Sequence, residues 1–146
     1  MEAMEIALIE AAAAAQRGEV PVGAVVLDTN GTVLARAGNA VEATHDASAH
    51  AELLALRTAA AARGSARLPD CDLVVTLEPC PMCAQAIGFF RIRRLIFGAY
   101  DPKGGGVEHG ARVFDAGSCH HRPEIVGGVR ETESAALLKA FFAGKR

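Results

Sequence analysis

Residues 75–85 read VTLEPCPMCAQ, and the use of Cys80 and Cys83 decides how the chain around them is organised. A Cys-x-x-Cys pair is half of a zinc site, a redox couple or a coincidence. The run before it, CDLVVTLE (71–78), is apolar and rich in β-branched residues, the pattern of a buried strand. The run after it, CPMCAQAIGFFR (80–91), reads as a helix with Pro81 in its first turn. Two cysteines three apart at a helix start can turn both sulfurs toward one point, where the positive helix end favours thiolates.

Working outward, residues 2–17 place Met4, Ala7, Leu8, Ala11, Ala12 and Ala15 at spacings of three and four, which predicts an amphipathic helix stopped by Gly18. VPVGAVVLD (20–28) and TVLARAG (32–38) predict two antiparallel strands, with Asn30-Gly31 as the hairpin signal. SAHAELLALRTAAAARG (48–64) predicts a helix capped by Ser48 and ended by Gly64. RRLIFGAY (93–100) is another strand, PEIVGGV (123–129) a short fifth one, and RETESAALLKAFFAGK (130–145) a closing helix. Between them, residues 101–123 carry repeated glycines and two prolines, an irregular connection long enough to expect function of it.

The chain has 146 residues, 51% of them hydrophobic and 22% charged, with a net charge of −2. That length suits one domain with a real core, so residues 1–146 are read as a single unit without repeats or linkers. The longest low-charge runs fall short of the roughly 18 apolar residues of a membrane span. Mild acidity argues against a strong non-specific nucleic-acid binder. Acidic residues near the N-terminus replace the basic start of a secretory signal, which predicts a cytoplasmic protein whose four cysteines are metal ligands or free thiols.

Thirty residues before Cys80 stands His50-Ala51-Glu52. His50, Cys80 and Cys83 make three ligands, one short of a closed tetrahedral zinc site, which leaves room for a catalytic water. Two thiolates and a neutral imidazole balance the dication, and Glu52, beside the water and not a ligand, can move its proton. His50 and Glu52 diverge around a helix, so they cooperate only at a point beyond its N-terminus. The expectation is two helix starts aimed at one Zn2+, with no organic cofactor.

H-x-E followed by P-C-x-x-C is the known signature of zinc nucleobase deaminases. Beyond it, EVPVGAVV (19–26), Gly38-Asn39, HDASAHAE (45–52), LVVTLEPCPMC (73–83), RIRRLIFGAYDPKGGG (91–106) and LLKAFF (137–142) resemble the bacterial tRNA-specific adenosine deaminases over nearly the whole chain. The resemblance implies a three-layer α/β/α cytidine-deaminase-like fold with a central five-stranded mixed sheet, a homodimer, and a tRNA anticodon stem-loop as substrate. It implies that the wobble adenosine of an arginine tRNA becomes inosine, zinc hydroxide attacking C6 while Glu52 shuttles protons to N1 and to the departing ammonia. It also implies that Asn39 hydrogen-bonds the purine, that Val22 lines the pocket, that Asp101 and Lys103 lie on a loop meeting neighbouring nucleotides, and that Phe141 and Phe142 approach the RNA. A deaminase of a free base or nucleoside, sharing every zinc residue, is the alternative.

Some stretches depart from the family or carry a plainer meaning. Gly88, Phe89 and Phe90 stand where relatives have Ser, an aromatic or His, and Ala, which puts bulk at a packing or dimer surface. His109, His120 and His121 are expected to be exposed loop histidines, the glycines of KGGG (103–106) a flexible turn, and Arg91, Arg93 and Arg94 either a salt-bridged face or an RNA contact.

Overall fold

The computed structural model describes residues 1–145; Arg146, the last residue of the expected domain, lies outside the described residues. The chain runs α1 (Ala3–Gln16), β1 (Gly23–Leu27), β2 (Val33–Gly38), α2 (Val41–Thr44), α3 (Ala51–Arg63), β3 (Asp72–Leu77), α4 (Pro81–Phe89), β4 (Arg94–Ala99), a single 3-10 turn (Val113–Asp115), β5 (Glu124–Val126) and α5 (Glu131–Ala143). The strands form one five-stranded mixed sheet in the order β2-β1-β3-β4-β5. β1 is antiparallel to β2 and β3, while β3, β4 and β5 run parallel. The expected α/β/α fold is the observed one.

Side chains of the central strands alternate between two helical layers, as the period of two along a strand requires. Ala24, Val26, Leu73, Val75, Leu95 and Phe97 pack with Leu56 of α3 and Ile87 of α4, whereas Val25, Val74 and Ile96 pack with Met4, Ile6 and Ala7 of α1. Phe97 is fully buried, and a side chain of that size contributes roughly 1.5–3 kcal/mol by leaving water. Because β3 and β4 are covered on both faces, they read as continuous apolar runs.

The buried stripe of α1 is Met4, Ala7, Ala11 and Ala14, joined by Ile6, while Leu8, Ala12 and Ala15 are only half-buried. The helix is rotated relative to the periodicity because its backbone lies almost on the sheet: a Cβ on Gly23 would fall 1.9 Å from the carbonyl oxygen of Ala7. Only alanine on one side and glycine on the other permit that approach. No helix among the described residues is long and apolar enough to cross a membrane.

Two local expectations are corrected. Ser48 does not cap α3; its Oγ and backbone N–H both donate to Asp46 Oδ1, at 2.7 and 2.9 Å, and His50 takes the N-cap position. The free N–H of Ala51 is satisfied from elsewhere in the chain, by Asn39 Oδ1 at 2.8 Å. KGGG is no flexible turn either: Gly105 and Gly106 are buried, and their N–H groups donate to the carbonyls of Asp101 and Pro79 at 2.9 and 2.8 Å.

Candidate active site

The sheet topology brings distant segments to one edge. β3 ends at Leu77, and its antiparallel neighbour β1 begins at the same edge, next to the end of β2. Val22, Asn39 and the turn Glu78-Pro79-Cys80 therefore converge, and the N-termini of α3 and α4 point into the same region. His50 is the N-cap of α3 and Cys80 the N-cap of α4, both with extended backbone, and neither side chain caps its own helix. Instead they face each other.

His50 Nδ1 lies 3.6 Å from Cys80 Sγ and 3.5 Å from Cys83 Sγ. A tetrahedral zinc ion, with bonds of about 2.3 Å to sulfur and about 2.0–2.1 Å to nitrogen, spaces such atoms about 3.6 Å apart. The three donors, all within 4.8 Å of one another, fit zinc in both chemistry and spacing. Without a cation, the neighbouring Cys83 thiol and then His50 pull the Cys80 thiol down to about 4. Cys83 is pushed up, because its proton is held by Cys80 and burial opposes a second thiolate. The Cys80 thiolate and the Glu52 carboxylate raise the affinity of His50 for a proton. A dication resolves the competition by replacing the shared protons.

Glu52, in the first turn of α3, is 4% exposed. Burial pushes its carboxyl up to about 7, with the nearby Cys80 thiolate acting in the same direction. A buried carboxyl beside the three-donor cluster is placed to accept and return a proton.

His50, Glu52 and Cys80 line a cavity of about 800 Å³, together with Val22, Asn39, Leu77, Glu78, Asp101, Phe141 and Phe142, while Cys83 is buried behind it. That volume is in the range of small-ligand sites. Asn39 is buried, and its Oδ1 is committed to Ala51, so the NH2 half of its amide is the part left to meet a ligand. Lys103 is exposed on the turn beside the cavity and is not part of the lining. The ring of Phe142 is half exposed, set edge-on to Phe141 at a centroid distance of 5.3 Å.

Two buried carboxylates at this site were not singled out in the sequence. Glu19 accepts the N–H groups of Glu42 and Ala43 at 3.1 and 2.9 Å and pins the short α2 against the cavity rim. Glu78 accepts from the loop after β4 and from His109. Burial opposes its charge, yet the N–H of Asp101, the His109 ring and the N–H groups of Glu108 and His109 outweigh it and hold the carboxyl below its ordinary value. An acid closing an otherwise apolar strand was the available signal.

Of the loop histidines expected to be exposed, His120 is, whereas His109 and His121 are half-buried, tied to Glu78 and, through Nε2 at 2.7 Å, to the carbonyl of Ile92. Arg93 and Arg94 are paired with Asp72 and Glu124. Phe89 is exposed, and Phe90 packs half-buried against the core.

The sequence model for the cytidine and deoxycytidylate deaminase zinc-binding region matches residues 1–99, which contain His50, Glu52, Cys80 and Cys83. The tRNA-specific adenosine deaminase of Agrobacterium fabrum is 54% identical over 143 residues, 98% of this chain and 93% of that protein. The chain belongs to this deaminase family. The tRNA-specific adenosine deaminase of Bacillus subtilis is 44% identical over 139 residues, 95% of this chain and 86% of its own. Among solved structures, one from a study of A-to-I editing by tRNA:A34 deaminases at the wobble position superposes with a TM-score of 0.91 at 54% identity, covering 93% of this chain and 98% of that one. The protein is a zinc-dependent hydrolytic deaminase, and the His50, Cys80 and Cys83 cluster lies inside the matched zinc-binding region.

Proposed function

We propose that this deaminase converts the wobble adenosine of an arginine tRNA anticodon to inosine, with His50, Cys80 and Cys83 as zinc ligands and Glu52 as the proton shuttle. The observation that carries the reading is the placement of Glu52, buried beside the three-donor cluster on the floor of a cavity of about 800 Å³. Likeness to tRNA deaminases along nearly the full chain supports the RNA substrate over a free base.

Bound zinc supplies the positive charge that makes water a nucleophile near neutral pH. The chain's own residues do the rest. Glu52 accepts the proton of the attacking water and delivers it to N1 of the purine. It then takes the remaining proton of the hydroxyl now on C6 and passes it to the amine, so that the C6–N bond breaks, ammonia leaves and the ring keeps the oxygen as a carbonyl. Asn39 meets a ring acceptor with its NH2. Val22 packs against the base, which must leave its stack to enter. Phe141 and Phe142 stack at the rim, while Asp101 and Lys103 face the flanking nucleotides. The mild net charge is compatible with a flipped base in a single-stranded loop, whose recognition rests on stacking and shape.

The same reading takes residues 1–146 as one domain that works as a cytoplasmic homodimer; exposed Met82 and Phe89 on α4 are apolar surface suited to such pairing.

The test is deamination of an arginine anticodon stem-loop by zinc-loaded protein, with free adenosine, guanine, cytosine and cytidine in parallel. Inosine at the wobble position, abolished in Glu52→Ala at unchanged zinc content, is expected. Turnover of a free base or nucleoside alone overturns the substrate, and more than a few per cent residual activity in Glu52→Ala overturns the proton shuttle.

A further inference from the structure

Glu78 stands two residues before Cys80 with a side chain that no solvent reaches. No arginine or lysine pairs with it among the described residues. Its charge is met instead by the loop that follows β4. Oε1 accepts the N–H of Asp101 at 3.0 Å and the ring Nδ1–H of His109 at 2.8 Å. Oε2 accepts the N–H groups of Val107, Glu108 and His109 at 3.2, 2.9 and 3.0 Å.

A buried carboxylate is tolerable only when donors surround it, so this loop has one low-energy position relative to Glu78. Glycine makes the wrap possible: a Cβ on Gly105 would lie 2.5 Å from Glu78 Oε2, and one on Gly106 2.6 Å from the nitrogen of Pro81. The far side of the same loop is cavity wall. Asp101 and Gly104 line it, and Asp101 Oδ1 accepts the N–H of Gly104 at 2.9 Å, which fixes the direction of its carboxylate.

We propose that Glu78 is the positioning residue of the substrate loop, setting the distance between the loop's binding wall and the cluster that begins at Cys80. The inference rests on the reading that the cavity takes a nucleotide of an RNA loop. Although Glu78 borders the cavity, both of its carboxylate oxygens are taken up by the loop, so it acts through the loop. Its role is to keep Asp101 and its neighbours where the substrate meets them, so its loss acts on binding more than on the chemical step.

Two variants test this. Glu78→Gln keeps the shape but turns an NH2 toward the loop donors. His109→Phe keeps a ring against Tyr100, whose centroid lies 6.0 Å from that of His109, and removes one bond to Glu78. In Glu78→Gln, KM for the anticodon stem-loop is expected to rise about tenfold or more while kcat changes less than about threefold, as loss of several charge-assisted bonds made equally in ground and transition states requires. His109→Phe is expected to raise KM about threefold. Zinc content stays at the wild-type value in both, and amide exchange quickens at residues 105–109 and not in α3. A lowered melting temperature with unchanged KM overturns the proposal, because the clasp is then structural only. If Glu78→Gln does not fold, His109→Phe decides: wild-type KM with unaltered exchange in the loop overturns it. If the wild-type protein turns over only a free base or nucleoside, the RNA reading falls, and the same KM and kcat comparison is made on that compound.

Discussion

Asn39 performs two tasks with the two ends of one amide, and substitution separates them. Its Oδ1 accepts the N–H of Ala51 at 2.8 Å, in the first turn of the helix that presents His50 and Glu52. Its NH2 is assigned to the base. Asn39→Ala removes both and leaves a buried N–H without a partner, a loss of about 1–3 kcal/mol. For a domain of this length that is roughly 2–12 °C in melting temperature. Asn39→Asp keeps an acceptor in place, and a negative charge at a helix N-terminus is favourable, so its melting temperature should stay within about 2 °C of wild type. It presents no donor to the base, however, so kcat/KM on the stem-loop should fall by about tenfold or more in both variants. Differential scanning calorimetry of the zinc-loaded proteins, paired with inosine formation under kcat/KM conditions, reads the two effects separately. The reasoning is refuted if Asn39→Asp melts as low as Asn39→Ala, or if it retains wild-type kcat/KM.

Further outcomes follow from the geometry. Chelation should open Cys80, whose thiol is pulled down to about 4, to alkylation, whereas the buried Cys83, with its thiol pushed up, should react more slowly; mass spectrometry that finds Cys80 modified in the zinc-loaded protein at the rate of the chelated one contradicts the three-donor site. The Asp46 carboxyl is held below its ordinary 3.8 by the Ser48 hydroxyl and N–H. Its contribution to the turn before His50 is therefore complete above pH 3.8 and lost as pH falls through the lower folded value. Carbon NMR should place its midpoint below 3.8, and Ser48→Ala should move it back toward that value.

The zinc centre was legible because metal chemistry restricts residue type: few arrangements other than a histidine and two thiolates with an unligated acid explain His50, Glu52, Cys80 and Cys83. The strands and helices were legible because apolar period and glycine stops are local properties. The cap of α3 was not, since a serine two residues upstream is the local candidate and the actual partner, Asn39, arrives through the hairpin of β1 and β2. The role of Glu78 was hidden for the same reason. Its partners lie 23 to 31 residues away in a segment with no periodicity. The glycines that read as slack in KGGG are the condition for dense packing, because absence of a side chain looks alike in a loose turn and in a crowded one.

The chemistry stands wholly on helix beginnings, with His50 and Cys80 at the N-cap positions and Glu52 and Cys83 within the first turn. Apart from Phe89, which faces away from the core, the remaining turns of α3 and α4 serve as ballast against the sheet. Their sequences can therefore drift, lengthen or be redesigned with the site held constant, and a library confined to positions such as Leu56, Ala59 and Ile87 should vary heat tolerance without varying substrate choice.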